Sequence, residues 1–359
     1  MTRQKKANLY AACAILFWST VATAFKLTLR RVDCITLVFY ASFVSALFLL
    51  LVLLVQGKTN LLVESILLRG RSHSGKIPGK KSKIPREKAQ NENASSSESF
   101  SKTAGNSTRA LGRSAVAGFL NPFLYYLILF KAYSLLPAQE AQPLNFAWPV
   151  VLSLLAVVVL REKLRVLSLV ALLISFSGVV VISTRGDVLG FRFANPAGAL
   201  LAIGSTFIWS SFWLMNMKDD RDEVLKLFLG FCFGFLYIFI ARSVIAWTGL
   251  LEALNGIPLL DVPEAGVSNG EGIVLPRIAW AGLLGCVYVG LFEMGATFVL
   301  WLKALRLTES TAKVSNLIFL SPFLSLVFIH FVVGEDIMRS SVIGLALIVG
   351  GVILQSRLK

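Results

Sequence analysis

Glu293 is the residue most in need of a chemical explanation. It lies about ten residues, or roughly 15 Å, from the nearer end of an apolar run spanning 278–303. An ionised side chain at the centre of such a run costs about 2.5–3.5 kcal/mol, and a glutamate stem is too short to reach water. Its carboxyl must be protonated, paired, or facing a water-filled cavity. Asn121, 172 positions earlier, is a second polar residue deep in an apolar run. Asn145 and Asn316 add amides that could hold a solute or tie neighbouring helices together. Trp18, Trp148 and Trp209, with Tyr125 and Tyr126, could stack on a planar solute, although such rings also serve as packing or interface anchors. Pro149 and Pro322 interrupt helical bonding and free carbonyls that either bind ligand or mark a packing kink.

Other chemistry is scarce. The two histidines, His73 and His330, and the scattered Cys13, Cys34, Cys232 and Cys286 make no zinc spacing, so no metal or cofactor is expected. Gly70 to Lys76 has the spacing of a phosphate-binding loop. Ile77, however, replaces the required hydroxyl, and neither the strand nor the helix of that motif flanks it. No run shows a helical spacing such as His-Glu-x-x-His, so no enzyme is expected. Lys26, Lys131 and Arg242 lie near the outer ends of their runs and Lys303 near an inner end, where long stems can snorkel to the interface.

The elements that must position these residues follow from composition. Of 359 residues, 56% are hydrophobic and only 15% charged, against about a quarter charged in soluble domains. A soluble enzyme is therefore excluded. Ten apolar runs are long enough to cross a bilayer: 7–29, 34–55, 114–135, 140–160, 165–184, 196–217, 224–248, 278–303, 313–333 and 340–356. Each must be helical, because lipid cannot satisfy a bare backbone. Ala22-Thr23-Ala24 has the look of a signal-peptidase site, but the run continues through Phe25 and Leu27, so a retained helix is expected.

With the N-terminus inside, 26 Lys and Arg residues fall on the cytoplasmic side and 6 on the other. Both termini are then expected in the cytoplasm. The net charge of +15 is thus a record of topology, and no nucleic-acid partner is expected. Residues 56–113, basic and serine-rich, read as a largely disordered cytoplasmic loop that either rests on anionic lipid or is a solvated spacer. Two glycosylation sequons, at Asn93 and Asn106, fall on that predicted cytoplasmic side and are not expected to be used. The loop 249–276 is acidic and external.

The two halves of the chain echo each other. Phe130-Lys131-Ala132 aligns with Leu302-Lys303-Ala304, Pro149 with Pro322, Glu162 with Glu335, and Ser177-Gly178-Val179-Val180 with Gly350-Gly351-Val352-Ile353, at offsets of 172 or 173. Phe17-Trp18-Ser19 likewise matches Ile208-Trp209-Ser210. Five runs is an odd number, so the second copy enters the membrane from the opposite side. The expected fold is an all-α membrane protein of ten transmembrane helices in two inverted five-helix repeats, residues 1–184 and 196–356. Gly230 and Gly234 form a GxxxG pattern that permits close helix approach, within one chain or between copies in a homodimer.

This arrangement resembles the EamA-type drug/metabolite transporter superfamily. Leu135-Leu136-Pro137-Ala138, Gln142-Pro143-Leu144-Asn145-Phe146-Ala147-Trp148-Pro149 and Leu160-Arg161-Glu162-Lys163-Leu164 resemble its aromatic amino-acid exporter branch. The departures are the length of the 56–113 loop and Phe146-Ala147, where the branch has an aromatic-leucine pair. The resemblance implies a cavity lined by spans 1, 3, 4, 6, 8 and 9, in a bacterial inner (cell) membrane. The expected function is secondary active transport, by export or exchange, of small organic metabolites such as amino acids. The expected substrate-binding residues are Glu293, Asn121, Asn145, Trp148, Trp18, Trp209, Tyr125 and Asn316, and the expected partners a small-molecule substrate and the lipid bilayer. The competing readings are a transporter of nucleotide-linked or lipid-linked sugars, which calls for deep basic residues, and a membrane scaffold working through the 56–113 loop.

Overall fold

The computed structural model describes residues 2–66, 108–148, 150–152, 154–155, 166–189, 195–255, 280–308 and 318–357. Asn316, Pro149, Glu162, the Gly70–Lys76 motif and most of both long loops lie outside the described residues.

Among the described residues all regular structure is helical, as an apolar chain in lipid requires. The helices are α1 (Arg3–Leu29), α2 (Cys34–Val55), α3 (Thr59–Ile66), α4 (Thr108–Leu135), α5 (Ala138–Asn145), α6 (Val166–Ser183), α7 (Pro196–Met217) and α8 (Glu223–Asn255). Then come α9 (Trp280–Tyr288), α10 (Ala296–Leu307), α11 (Ser321–Phe328) and α12 (Arg339–Ser356). Six stretches are long and apolar enough to cross a membrane: α1, α2, α4, α7, α8 from Glu223 to Thr248, and Trp280–Trp301. Shorter apolar helices cover Leu173–Ser183, Ser321–Val333 and Arg339–Leu354.

One expectation is corrected at its edges. Thr59–Ile66 is helical rather than disordered, because Leu61, Leu62, Val63 and Ile66 give it an apolar side, and Leu62 packs on the core. Lys58, between α2 and α3, bonds Asp222 at 2.7 Å, and Arg221 bonds Asp219 at 2.6 Å in the same α7–α8 turn. Burial raises both carboxyls, but hydrogen bonds from these cations and from backbone amides hold them below the ordinary aspartate range.

Close helix contacts are made through small residues. A Cβ on Gly178 of α6 would sit 2.4 Å from Gly344 O of α12, and one on Gly351 would sit 2.5 Å from Ala171 O. These two contacts exchange places under the 173-residue offset, since Ala171 corresponds to Gly344 and Gly178 to Gly351. The Gly230–Gly234 pattern is used inside the chain: a Cβ on Gly118 of α4 would meet Gly230 O at 2.2 Å and Gly234 N at 2.7 Å. Its offset partner, Gly290, packs equally closely on α2, where a Cβ would meet Ala41 O at 2.5 Å. Gly178→Ala should force α6 and α12 apart, cost about 1–3 kcal/mol and lower the melting temperature in detergent by several degrees. Gly350→Ala is the control, since a Cβ there meets nothing within 4 Å. Equal melting temperatures for the two variants would remove the argument.

Candidate functional site

Two of the long apolar stretches, Thr108–Leu135 and Trp280–Trp301, are broken within their length. In α4 the segment Phe119–Leu124 forms a wide, π-helical turn in which Asn121 is extended, at φ −148 and ψ 120. Pro122 causes this: it lacks an N–H and disfavours helical geometry in the residue before it. In the second half the wide turn is Val289–Glu293, after which Gly295 leaves helical geometry, at φ −111 and ψ −86, and α10 begins at Ala296. Gly295 suits that break because a Cβ would crowd Phe48 at 2.9 Å and Gly290 O at 3.0 Å. Thr297 Oγ1 donates to the freed carbonyl of Phe292. Turns of this kind recur at functional sites, and a shift of 172 residues carries the first, 119–124, onto 291–296, overlapping the second.

The breaks present the two deep polar residues. Tyr126 of α4 donates its hydroxyl to Glu293 Oε1 at 3.2 Å, so the two interrupted helices meet at the carboxyl. The Trp18 indole of α1 lies within interaction range of the same carboxyl. Glu293 is 7% exposed and Asn121 fully buried. Among the described residues, Glu293 Oε2 and both amide atoms of Asn121 have no hydrogen-bond partner. Buried polar groups are seldom left so, and Glu293 and Asn121 share this state with buried hydroxyls such as Ser42 and Ser325.

Aromatic rings form one wall. Tyr125 stacks on Trp209 with centroids 4.7 Å apart, and Trp209 contacts Phe298 at 5.8 Å. Trp18 meets Phe298 edge-on at 6.5 Å and Trp301 at 5.5 Å. Trp18, Trp209 and Tyr125 are therefore brought together, with Phe298 as the link that sequence reasoning missed. Asn145 accepts from the Tyr125 hydroxyl at 3.3 Å and donates to Ser205 Oγ at 2.9 Å, so its amide ties α4, α5 and α7 together. Trp148 sits apart from the carboxyl, packed on the core, and its carbonyl accepts from Ser210 of α7.

One end of the bundle is closed by polar bonds between the halves. Glu335 accepts from the Ala138 and Gln139 amides at the start of α5, at 3.0 and 3.2 Å. Gln139 donates to Asp336 O at 2.6 Å and accepts from Met338 N at 2.7 Å. Nearby, Arg185 pairs with buried Glu140 at 2.8 Å. Glu140 stands at the edge of the predicted fourth run, where an intramembrane charge was not expected. Lys26 donates to Tyr133 O and Leu136 O, at 2.8 and 2.6 Å, because the carbonyls ending α4 have no helical donor. Arg242 likewise bonds Thr36 Oγ1 at 2.9 Å and lies over the Phe39 ring, while Lys131 and Lys303 are exposed.

Comparison with known proteins bears on what such a site handles. An uncharacterised transporter of Clostridium kluyveri is 26% identical over 249 residues, covering 68% of this chain and 71% of that one. The uncharacterised transporter YvbV of Bacillus subtilis is 23% identical over 67% of this chain and 70% of its own. The aromatic amino acid exporter YddG of Ancylobacter novellus is 28% identical over 118 residues, 33% of this chain and 41% of that protein. A crystal structure with 22% identity superposes with a TM-score of 0.52, covering 99% of this chain and 98% of that one, a likeness of fold. The EamA-like transporter family model matches residues 5–70, 99–184 and 196–357, spanning both broken helices. With that match over most of its length, the chain belongs to the EamA-like transporter family, whose members are membrane transporters rather than enzymes.

Proposed function

We propose that the chain is a secondary transporter of small organic metabolites, with amino acids the leading class, working by alternating access. In this reading ten spans form two inverted five-helix repeats in a bacterial cell membrane, with both termini cytoplasmic. The observation that carries it is the pair of interrupted helices at offset-matched positions, with Asn121 in one break and Glu293 in the other. Interrupted helices at matching places in two repeats point to the substrate site of a transporter. The α6–α12 contact that maps onto itself under an offset of 173 supports the two-repeat arrangement.

The chemistry suits a zwitterion with an apolar or aromatic side chain. The Glu293 carboxyl can face an ammonium group, the Asn121 amide can donate to a carboxylate, and the rings of Trp18, Tyr125 and Trp209 enclose the remainder. Asn145 and Trp148 belong to the surrounding shell in this reading, while Asn316 lies outside the described residues. No phosphate-binding loop serves it, so the driving force is an ion gradient or the substrate's own gradient.

Reconstituted vesicles test the proposal. Labelled aromatic and aliphatic amino acids are offered to vesicles containing the full chain and to protein-free vesicles. At least one is expected to enter several-fold faster with protein present, and faster still with the same unlabelled amino acid trapped inside. If none moves faster than through bare lipid, the amino-acid assignment falls.

A further inference from the structure

A concavity lies on the side of the bundle, and Glu293 is not among its lining residues. α1, α9 and α11 leave a groove of about 470 Å³ between them, within the range of ligand sites. Along α1 it is lined by Thr20, Ala24, Leu27 and Arg31, one stripe of that helix carried on to the residues that end it, with Leu284 and Val332 on the facing walls. From Thr20 to Arg31 the groove follows about 16 Å of helix, close to half of a hydrocarbon core about 30 Å thick.

Most of the polar side chains in the walls are already engaged. Thr20 and Tyr288 satisfy each other's hydroxyls at 2.6 Å and Thr28 bonds Ala24 O at 2.7 Å, while Thr23 Oγ1 is buried without a partner among the described residues. Leu284 and Val332 are 67% and 53% exposed. The rim is different. Arg31 is exposed, and among the described residues no ion pair or hydrogen bond holds its guanidinium. The neighbouring Asp33 carboxylate is occupied by the Thr36 amide and hydroxyl at the start of α2. Trp280, 81% exposed at the first turn of α9, marks the same level as the membrane–water interface.

We propose that this groove binds one acyl chain of an anionic phospholipid, with the headgroup phosphate on Arg31. Depth matches one leaflet, the wall is mostly apolar with Thr20, Thr28 and Tyr288 engaged within the protein, and the unpaired Arg31 charge stands where the headgroup lies.

The test is native mass spectrometry of the full chain taken from vesicles of phosphatidylglycerol and phosphatidylcholine with identical chains. Retained lipid should favour phosphatidylglycerol about fivefold, the effect of one basic residue at the headgroup level. Arg31→Gln should abolish that preference. Ala281→Trp, at an exposed position on the groove's edge, should remove the retained lipid itself. Arg357→Gln, which removes an equal charge elsewhere, should change neither. Equal retention of the two lipids by the unaltered protein overturns the proposal, as does a preference that survives Arg31→Gln. Retention that survives Ala281→Trp, or full competition by soluble glycerophosphoglycerol, reduces the site to a surface anion contact and overturns it too.

Discussion

Glu293→Gln is expected to slow solute flux in reconstituted vesicles by about 10- to 100-fold, the worth of a charge-assisted hydrogen bond of about 1.5–3 kcal/mol. Glutamine keeps the shape of the side chain and can still accept from the Tyr126 hydroxyl. The junction between α4 and the second break should therefore stay intact, and the melting temperature should move little. What is lost is the charge that an ammonium group would meet at Oε2, the oxygen without a partner among the described residues. Tyr126→Phe removes one hydrogen bond to the carboxyl and leaves the charge, so a loss of only a few-fold is expected. The order of the two variants is the decisive reading. If Glu293→Gln transports at the normal rate, the carboxyl does no more than bridge two helices.

Much of this arrangement is legible in residue types and spacing. The offset of 172 that pairs Asn121 with Glu293 also brings the two helix breaks into overlap, although sequence reading marks Pro149 and Pro322 as interruptions and passes over Pro122. The second break arises at Gly295, which sequence pattern cannot separate from the other glycines of apolar runs; its backbone, at φ −111 and ψ −86, singles it out. Aromatic positions were readable as candidates, but Phe298 emerges as their common neighbour only when α1, α7 and α10 are packed. Asn145 shows the reverse case, since its reading as either a solute ligand or a helix tie turns on partners in α4 and α7. The closed end was the least legible. Gln139 and Glu140 precede the hydrophobic part of their run and look like ordinary helix-start residues. Their burial depends on residues 335–341, about 200 positions away.

That closed end yields the other large effect. Gln139 is 3% exposed and bonds Asp336 O, Met338 N and Ser341 Oγ, all from the second half of the chain. Gln139→Leu keeps most of the volume but orphans Asp336 O and Met338 N, at about 1–3 kcal/mol for each buried group. When this end opens, water satisfies both groups, so the penalty falls on the closed form alone. The balance should shift towards opening by at least about tenfold, since each 1.4 kcal/mol is a factor of ten. A cysteine introduced at Ser340, 8% exposed beside the junction, reports it through its rate of reaction with a thiol reagent. The reporter chain carries serine in place of Cys13, Cys34, Cys232 and Cys286. Labelling should accelerate at least about tenfold in Gln139→Leu, and saturating substrate should alter the rate further only if the site communicates with this end. Unchanged labelling, in a protein that melts at its usual temperature, would show that these bonds join the halves without holding the end shut. Faster labelling with solute flux reduced would instead identify the Gln139 bonds as the contacts broken and remade in each transport cycle, because a transporter held open at one end cannot complete its turn.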